Sequence, residues 1–134
     1  MRKKLAVIAY GFAALAQAET PEQIRDRYLE QARHDQPSLQ ASAQRGAAFF
    51  QQSRTHSPDF PACTTCHTSQ PLHAGRHQIT GKTIKPLAPA ANPERFTDPA
   101  RVEKWFGRNC REVVGRDCSA AEKADLVAYL AGVR

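Results

Sequence analysis

The spacing of apolar residues along the chain predicts four helices joined by one long loop. The first is predicted from Thr20, because residues 20–23 (Thr-Pro-Glu-Gln) match a capping box with proline at the first helical position. The second is predicted over about 42–52. Each has one apolar side, formed by Ile24, Tyr28 and Ala32 in the first helix and by Gly46, Ala47 and Phe50 in the second.

A third helix is predicted to begin at residues 97–99 (Thr-Asp-Pro), again a capping residue followed by proline. Val102, Trp105 and Phe106 recur at i, i+3 and i+4 and give this helix an apolar face. The fourth helix opens with a second capping box at 119–122. Its predicted buried face consists of Leu126, Val127, Tyr129 and Leu130. No strand is predicted, so the expected fold class is all-α.

The loop between the second and third helices, residues 53–96, is rich in proline, glycine and threonine and has no lasting periodicity. So long an irregular stretch is unusual in a compact domain unless another component organises it. The sequence therefore indicates that a cofactor organises this region.

The beginning of the chain has the pattern of a secretory signal. Three basic residues at 2–4 precede an apolar stretch at 5–15, and Ala16-Gln17-Ala18 is a small-x-small cleavage site. Cleavage after Ala18 would leave residues 19–134 as a single periplasmic domain. The alternative is an uncleaved amphipathic segment. Stable membrane insertion is not expected, because no apolar run approaches the ~18 residues of a membrane-spanning helix.

Charge narrows the possible partners. Three of the 19 basic residues lie in the predicted signal, against none of the 13 acidic ones, which leaves the mature chain only mildly basic. So mild an excess does not indicate nucleic acid as a partner.

Residues 63–67 are Cys-Thr-Thr-Cys-His, the CxxCH attachment sequence of c-type haem. Thiols at this spacing add to the two vinyl groups of one porphyrin, and the adjacent His67 ligates the iron. A thioredoxin-like redox pair would need a surrounding βαβ pattern, which is absent. Half of a zinc site would need the other two cysteines at a different spacing. We therefore expect one haem c, bound covalently through Cys63 and Cys66.

Gly46 to Phe50 and the segment 125–130 resemble the crossing N- and C-terminal helices of class I cytochromes c. In that class a glycine lets an aromatic residue of the last helix approach closely. The resemblance implies a class I cytochrome c fold around a covalent haem, with an extra helix at the N-terminus. Haem would also supply apolar surface that so small a chain lacks.

The sixth iron ligand is not a methionine, because Met1 is the only methionine in the chain. Asn109 lies seven residues after Val102 and continues the apolar face of the third helix towards the expected haem. It is either an iron ligand or a cap for the C-terminus of that helix, and the residues alone favour neither. Besides Asn109, the chain offers candidate nitrogen ligands at His73, His77, Lys82, Lys85, Lys104 and Lys123.

The stretch from Thr80 to Leu130 resembles the SHP family of oxygen-binding class I cytochromes c. The most specific matches are Arg108-Asn109-Cys110 and Gly115-Arg116-Asp117-Cys118. Shorter matches occur at 80–82, 86–89, 95–98, 102–105 and 122–125. In that family the asparagine before the first distal cysteine ligates ferric haem and leaves on reduction, and the resemblance assigns this role to Asn109. It also implies two electron donors, a dihaem c-type cytochrome and a membrane b-type cytochrome.

Cys110 and Cys118 remain once haem has taken two of the four cysteines. In an exported chain a pair this close predicts a disulfide. That disulfide is either a general link between the last two helices or, as the resemblance suggests, a brace for the loop beside Asn109.

The sequence thus predicts a monohaem cytochrome that accepts electrons and binds O2, NO or CO at ferrous haem after Asn109 leaves. One alternative is a plain electron-transfer cytochrome, six-coordinate in both redox states; another is a gas sensor or carrier without turnover. Whether an enzymatic reaction with oxygen or NO follows stays open, and no distal acid–base residue stands in an obvious position.

Two sets of basic residues have further candidate roles. The first is either a solvated helix face or a docking surface for an acidic redox partner, and comprises Arg101, Lys104, Arg108, Arg111 and Arg116. The second contains candidate donors to the haem propionates, Arg76, Lys82 and Lys85.

Overall fold

The computed structural model describes residues 17–134, which form five helices and one minimal hairpin. The elements are α1 (Pro21–Arg33), α2 (Ala43–Gln51), α3 (Thr64–His67), β1 (Gly75–Arg76), β2 (Thr83–Ile84), α4 (Pro99–Val114) and α5 (Ala120–Gly132). The predicted signal falls almost wholly outside the described residues. None of the helices within 17–134 is long and apolar enough to cross a membrane.

All four predicted helices begin where their capping residues indicate. At α1, Thr20 N–H donates to Gln23 Oε1 at 2.8 Å, and Gln23 N–H donates to the Thr20 hydroxyl at 3.2 Å. Ser119 and Glu122 form the same reciprocal pair at α5. The side chains of Ser42 and Asp98 cap α2 and α4. These local hydrogen bonds satisfy N–H groups that have no partner within the helix, so they fix the helix starts.

The core forms where α5 packs against α1 and α2. Phe50 from α2 and Ile24 from α1 are buried against Leu126, Val127 and Leu130 of α5. This confirms the predicted crossing helices and the extra N-terminal helix. One predicted core residue differs: Tyr129 is only half-buried, with its ring 5.8 Å from that of Phe50.

Gly46 sets the distance between α2 and α5. A Cβ atom at this position would lie 2.0 Å from the carbonyl oxygen of Asp125 and 2.9 Å from Tyr129 Cβ. Both distances are far shorter than a van der Waals contact, so only glycine allows the helices to cross this closely.

A buried carboxylate that the sequence analysis did not single out holds the same crossing. Asp125 accepts hydrogen bonds from Ser42 N–H at 2.6 Å and from Arg45 Nε at 2.7 Å and Nη2 at 2.9 Å. These bonds join the start of α2 to the middle of α5.

The long loop contains regular structure that the sequence analysis did not predict. Strands β1 and β2 pair antiparallel, with Gly75 opposite Ile84 and Arg76 opposite Thr83. The turn between them is closed by His77 N–H donating to Lys82 O at 2.8 Å, and Gly81 has a positive φ of 66°. Two-residue strands are too short to produce a visible alternation, which explains why the pattern missed them.

Candidate haem site

The short helix α3 brings together the three residues of the CxxCH motif. Cys63 is its N-cap, and Cys66 and His67 follow within its single turn. Both thiols are half-buried, and neither takes part in a disulfide, although all four cysteines lie in the described part. Burial raises the pKa of the Cys63 thiol. The two thiols are therefore held on one turn and remain available for thioether formation, as the motif predicts.

The hairpin supports this turn through a close backbone contact. A Cβ atom at Gly75 would lie 2.0 Å from Cys66 O and 3.0 Å from His67 Cα. In addition, Gln78 N–H donates to Cys66 Sγ at 3.3 Å. The segment after the motif therefore packs directly against it.

His67 is held as a neutral imidazole. Burial and, to a smaller extent, the positive charge of Arg95 together lower its pKa to about 4. Its ring lies 6.5 Å from that of Phe50, measured between centroids. At neutral pH the ring therefore has an unprotonated nitrogen, which is the form that ligates haem iron.

Helix α4 has an apolar face that the rest of the described chain covers only in part. Val102 is buried and Phe106 half-buried, but Trp105 is 43% exposed and lies on the same face as Asn109. An exposed tryptophan beside a half-buried amide matches the surface that a planar apolar cofactor covers. Together with two available thiols and a neutral imidazole, this face fits a covalently bound haem.

Asn109 lies in the interior of α4. The helix continues to Val114 and is capped by Gly115, which has a positive φ of 83°. The alternative in which Asn109 caps the C-terminus is therefore wrong. Its side-chain amide is half-buried and forms no hydrogen bond with any residue in 17–134. Nor does it bond to α3, so the structure leaves it separate from the CxxCH turn.

The residue after Asn109 is linked covalently to the start of α5. Cys110 and Cys118 form a disulfide with their Cα atoms 5.6 Å apart, and both are buried. Because Cys118 directly precedes the N-cap of α5, the link fixes the second half of α4 relative to the core helices.

A second link joins α4 to α1 and α5 and was not anticipated. The Tyr28 hydroxyl donates to Glu103 Oε2 at 2.7 Å, and Lys123 Nζ donates to Glu103 Oε1 at 2.7 Å. The ring of Tyr28 also packs edge-on against Phe106 with centroids 5.7 Å apart. The Lys123 bond is the main cause that lowers the pKa of Glu103, while burial and then Glu103 raise that of Tyr28.

Several of the alternative iron ligands are engaged elsewhere. His77 Nδ1 accepts N–H bonds from Ile79 at 3.3 Å and Thr80 at 3.2 Å inside the hairpin turn. Lys123 bonds Glu103, and Lys85 Nζ lies 3.7 Å from Glu94. These contacts disfavour all three as ligands.

The predicted basic cluster is largely neutralised by the protein's own carboxylates. Four of its members form ion pairs, which are Arg101–Asp98, Arg108–Glu112, Arg111–Asp117 and Arg116–Glu122. This pairing favours a solvated helix face over an acidic docking partner.

Comparison with known proteins agrees with this site. A family model described as a domain of unknown function, DUF1924, matches residues 36–130. The cytochrome c-type protein SHP of Cereibacter sphaeroides is 59% identical over 92 residues, covering 68% of this chain and 70% of that protein. Cytochrome c'' of Methylophilus methylotrophus is 38% identical over 125 residues, covering 92% and 87% respectively.

Solved structures show the same fold. Oxidised SHP, an oxygen-binding cytochrome c, aligns with a TM-score of 0.78 and 50% identity, covering 85% of this chain and 97% of that one. Oxidised cytochrome c'' aligns with a TM-score of 0.74 and 36% identity, covering 85% and 94%. The chain therefore belongs to the DUF1924 family of SHP-like c-type cytochromes, has the class I fold and carries one covalently bound haem c.

Proposed function

We propose that this protein is a periplasmic cytochrome that accepts electrons and then binds a small diatomic gas at its ferrous haem. Asn109 carries the proposal, because its amide has no hydrogen-bond partner among the described residues and lies on the exposed apolar face of α4. The SHP relative, described as an oxygen-binding cytochrome c, supports gas binding as the activity. The motif around Asn109 is also the most specific part of the resemblance to that family.

In this proposal, separate residues bind the haem and ligate its iron. When bound, haem supplies a redox-active iron. Cys63 and Cys66 would hold the cofactor, and neutral His67 would provide a nitrogen ligand in both redox states. Asn109 provides a neutral amide oxygen, a hard donor that suits ferric iron. Asn109 would bind less strongly once the iron is reduced, and its release would leave room for O2, NO or CO.

Electron donors are part of the proposal. We expect a dihaem c-type cytochrome and a membrane b-type cytochrome to reduce this protein, as the resemblance to the SHP family implies. Lys104 is the member of the basic cluster without a carboxylate partner among residues 17–134, so electrostatic steering to an acidic donor is expected to be weak.

The experiment compares wild type with Asn109→Ala by absorption spectroscopy in both redox states. The ferric spectrum of the variant should change from low-spin to high-spin, since its sixth ligand is gone. The ferrous spectra and CO binding should be nearly the same in both proteins, because the amide has already left. Azide should bind the ferric variant faster.

Arg108→Ala is the matched control, because Arg108 is exposed and directly precedes Asn109. Its ferric spectrum should stay that of wild type. A ferric Asn109→Ala protein that remains low-spin would show that another residue holds the iron. A reduced wild type that ignores CO would instead favour the plain electron carrier.

A further inference from the structure

Arg95 is a half-buried guanidinium without a carboxylate partner in residues 17–134. Its Nε donates to Pro86 O at 2.8 Å and its Nη2 to Lys85 O at 2.7 Å. The adjacent acid, Glu94, lies near Lys85 Nζ instead. Burial lowers the pKa of Arg95, followed by the charge of Arg101. Its surroundings therefore offer carbonyl oxygens and another cation, but no anion.

The position of this guanidinium is fixed by the loop that carries it. Asn92 Nδ2 donates to the same Pro86 oxygen at 3.2 Å. Leu87 N–H donates to Pro71 O at 3.0 Å. Phe96 is buried and adopts a positive φ of 59°, which a non-glycine residue rarely does. These hydrogen bonds hold the Pro86 carbonyl in place, and with it the guanidinium that donates to this carbonyl.

The charge of Arg95 lies close enough to His67 to affect its titration. Phe96 belongs to the same buried cluster as Phe50, and the Phe50 ring lies 6.5 Å from that of His67. The Arg95 charge is itself one of the two causes that lower the pKa of His67. Its remaining nitrogen, Nη1, donates no hydrogen bond to any described residue.

We propose that Arg95 binds a haem propionate through Nη1 and is the main counter-ion of that carboxylate. A carboxylate near a protein core needs a paired and hydrogen-bonded cation, and a guanidinium already fixed by two carbonyls loses little freedom when it binds. This assignment differs from the three donors considered from sequence. It does not depend on gas binding or on Asn109.

The charge of Arg95 also has a predicted effect on the iron. A cation near the haem favours the reduced state, which has one positive charge fewer. Removing it should lower the reduction potential, whereas removing an exposed cation should change the potential much less, because solvent screens it.

The experiment uses the haem-loaded protein and three variants. Arg95→Gln removes the charge but keeps a donor for one loop carbonyl. Arg95→Lys keeps the charge but removes the planar guanidinium group that donates in two directions. Arg101→Gln is the control, since Arg101 is an exposed cation nearby. The measurements are the reduction potential and the propionate bending bands of the resonance Raman spectrum.

We expect Arg95→Gln to shift the potential to lower values and to move one propionate band. Arg95→Lys should move the band but shift the potential less, and Arg101→Gln should change neither. If Arg95 only ties its own loop, both Arg95 variants will lose stability while the potential and the bands stay those of wild type, which overturns the proposal. If Arg95→Gln gives no folded protein, the Raman bands of Arg95→Lys decide: moved bands support the proposal and unmoved bands overturn it.

Discussion

Gly46 is the residue whose replacement the packing tolerates least. The atoms that a Cβ would meet are the backbone carbonyl group of Asp125, which cannot rotate away as a side chain can. Any substitution must therefore separate α2 from α5, and the loss extends to the contacts of Phe50 and Leu126 along the crossing. The absence of a side chain at this position therefore determines how closely the two core helices pack.

We expect Gly46→Ala to lower the free energy of unfolding by about 1–3 kcal/mol, the usual cost of overpacking, despite the better helix propensity of alanine. Urea unfolding of the haem-loaded protein measures it. Gly132→Ala is the control, since nothing lies within 4 Å of a Cβ built there, and it should change stability by less than about 0.5 kcal/mol. Equal effects of the two variants would contradict the packing argument.

Particular residues also show which contacts could be predicted from the sequence. The capping residues Thr20 and Ser119 determine helix starts through partners three positions away, so their roles are visible in sequence. Arg95 was missed because its partners are backbone carbonyls of a distant part of the loop. For Asn109, the sequence left two roles open, and the length of α4 excluded one of them.

At the scale of elements, α4 differs from the other long helices. The helices that pack closely are α5 with α1 and α5 with α2, whereas α4 is tied to them by the Glu103 hydrogen bonds, the Phe106 contact and the Cys110 disulfide. A helix tied at Glu103, Phe106 and Cys110 keeps its orientation, and its remaining apolar face stays available to the cofactor. Asn109 lies between Phe106 and Cys110, so the release proposed for its amide would not displace the helix.

Tyr28→Phe tests the first tie, because it removes the bond to Glu103 and leaves the ring on Phe106. We expect a loss of about 0.5–1.5 kcal/mol at pH 7, measured by urea unfolding. Tyr129→Phe is the control, since the Tyr129 hydroxyl has no hydrogen-bond partner within residues 17–134, and it should change little.

The same variant has a predictable pH dependence. The folded-state pKa of Glu103 lies below 4.5, the ordinary value of a glutamate, so this carboxylate contributes stability above that pH. The contribution is lost as the pH falls through the folded-state pKa. The difference between wild type and Tyr28→Phe should therefore shrink in acid. A difference that is constant from pH 7 to pH 3 would contradict a role for the ionised carboxylate.

At the scale of the whole molecule, the fold is that of the class I cytochromes c, but the chain lacks the methionine that ligates iron in the carriers of that class. A methionine thioether raises the potential of class I carriers, and this chain has only Met1. The class I architecture and the haem were predictable because CxxCH and the crossing helices are local motifs. The hairpin and the Asp125 bonds were not, since they depend on tertiary contacts.

We expect a reduction potential well below that of methionine-ligated cytochromes, measured by spectroelectrochemical titration. Asn109→Met supplies the absent thioether and should raise the potential and weaken CO binding to the reduced protein. A wild-type potential in the range of methionine-ligated carriers would contradict the argument from the absent methionine.

The crossing of α2 and α5 also has a consequence for how the chain folds. The hydrogen bond from Ser42 to Asp125 joins residues 83 positions apart. The core therefore closes only after two distant parts of the chain have met, which costs loop-closure entropy. Proteins with such distant contacts fold more slowly than bundles of neighbouring helices. Cys63 packs against this core, so we expect the CxxCH turn to be more accessible to haem attachment before the core closes than after it. On that expectation, the folding rate sets the time available for cofactor attachment.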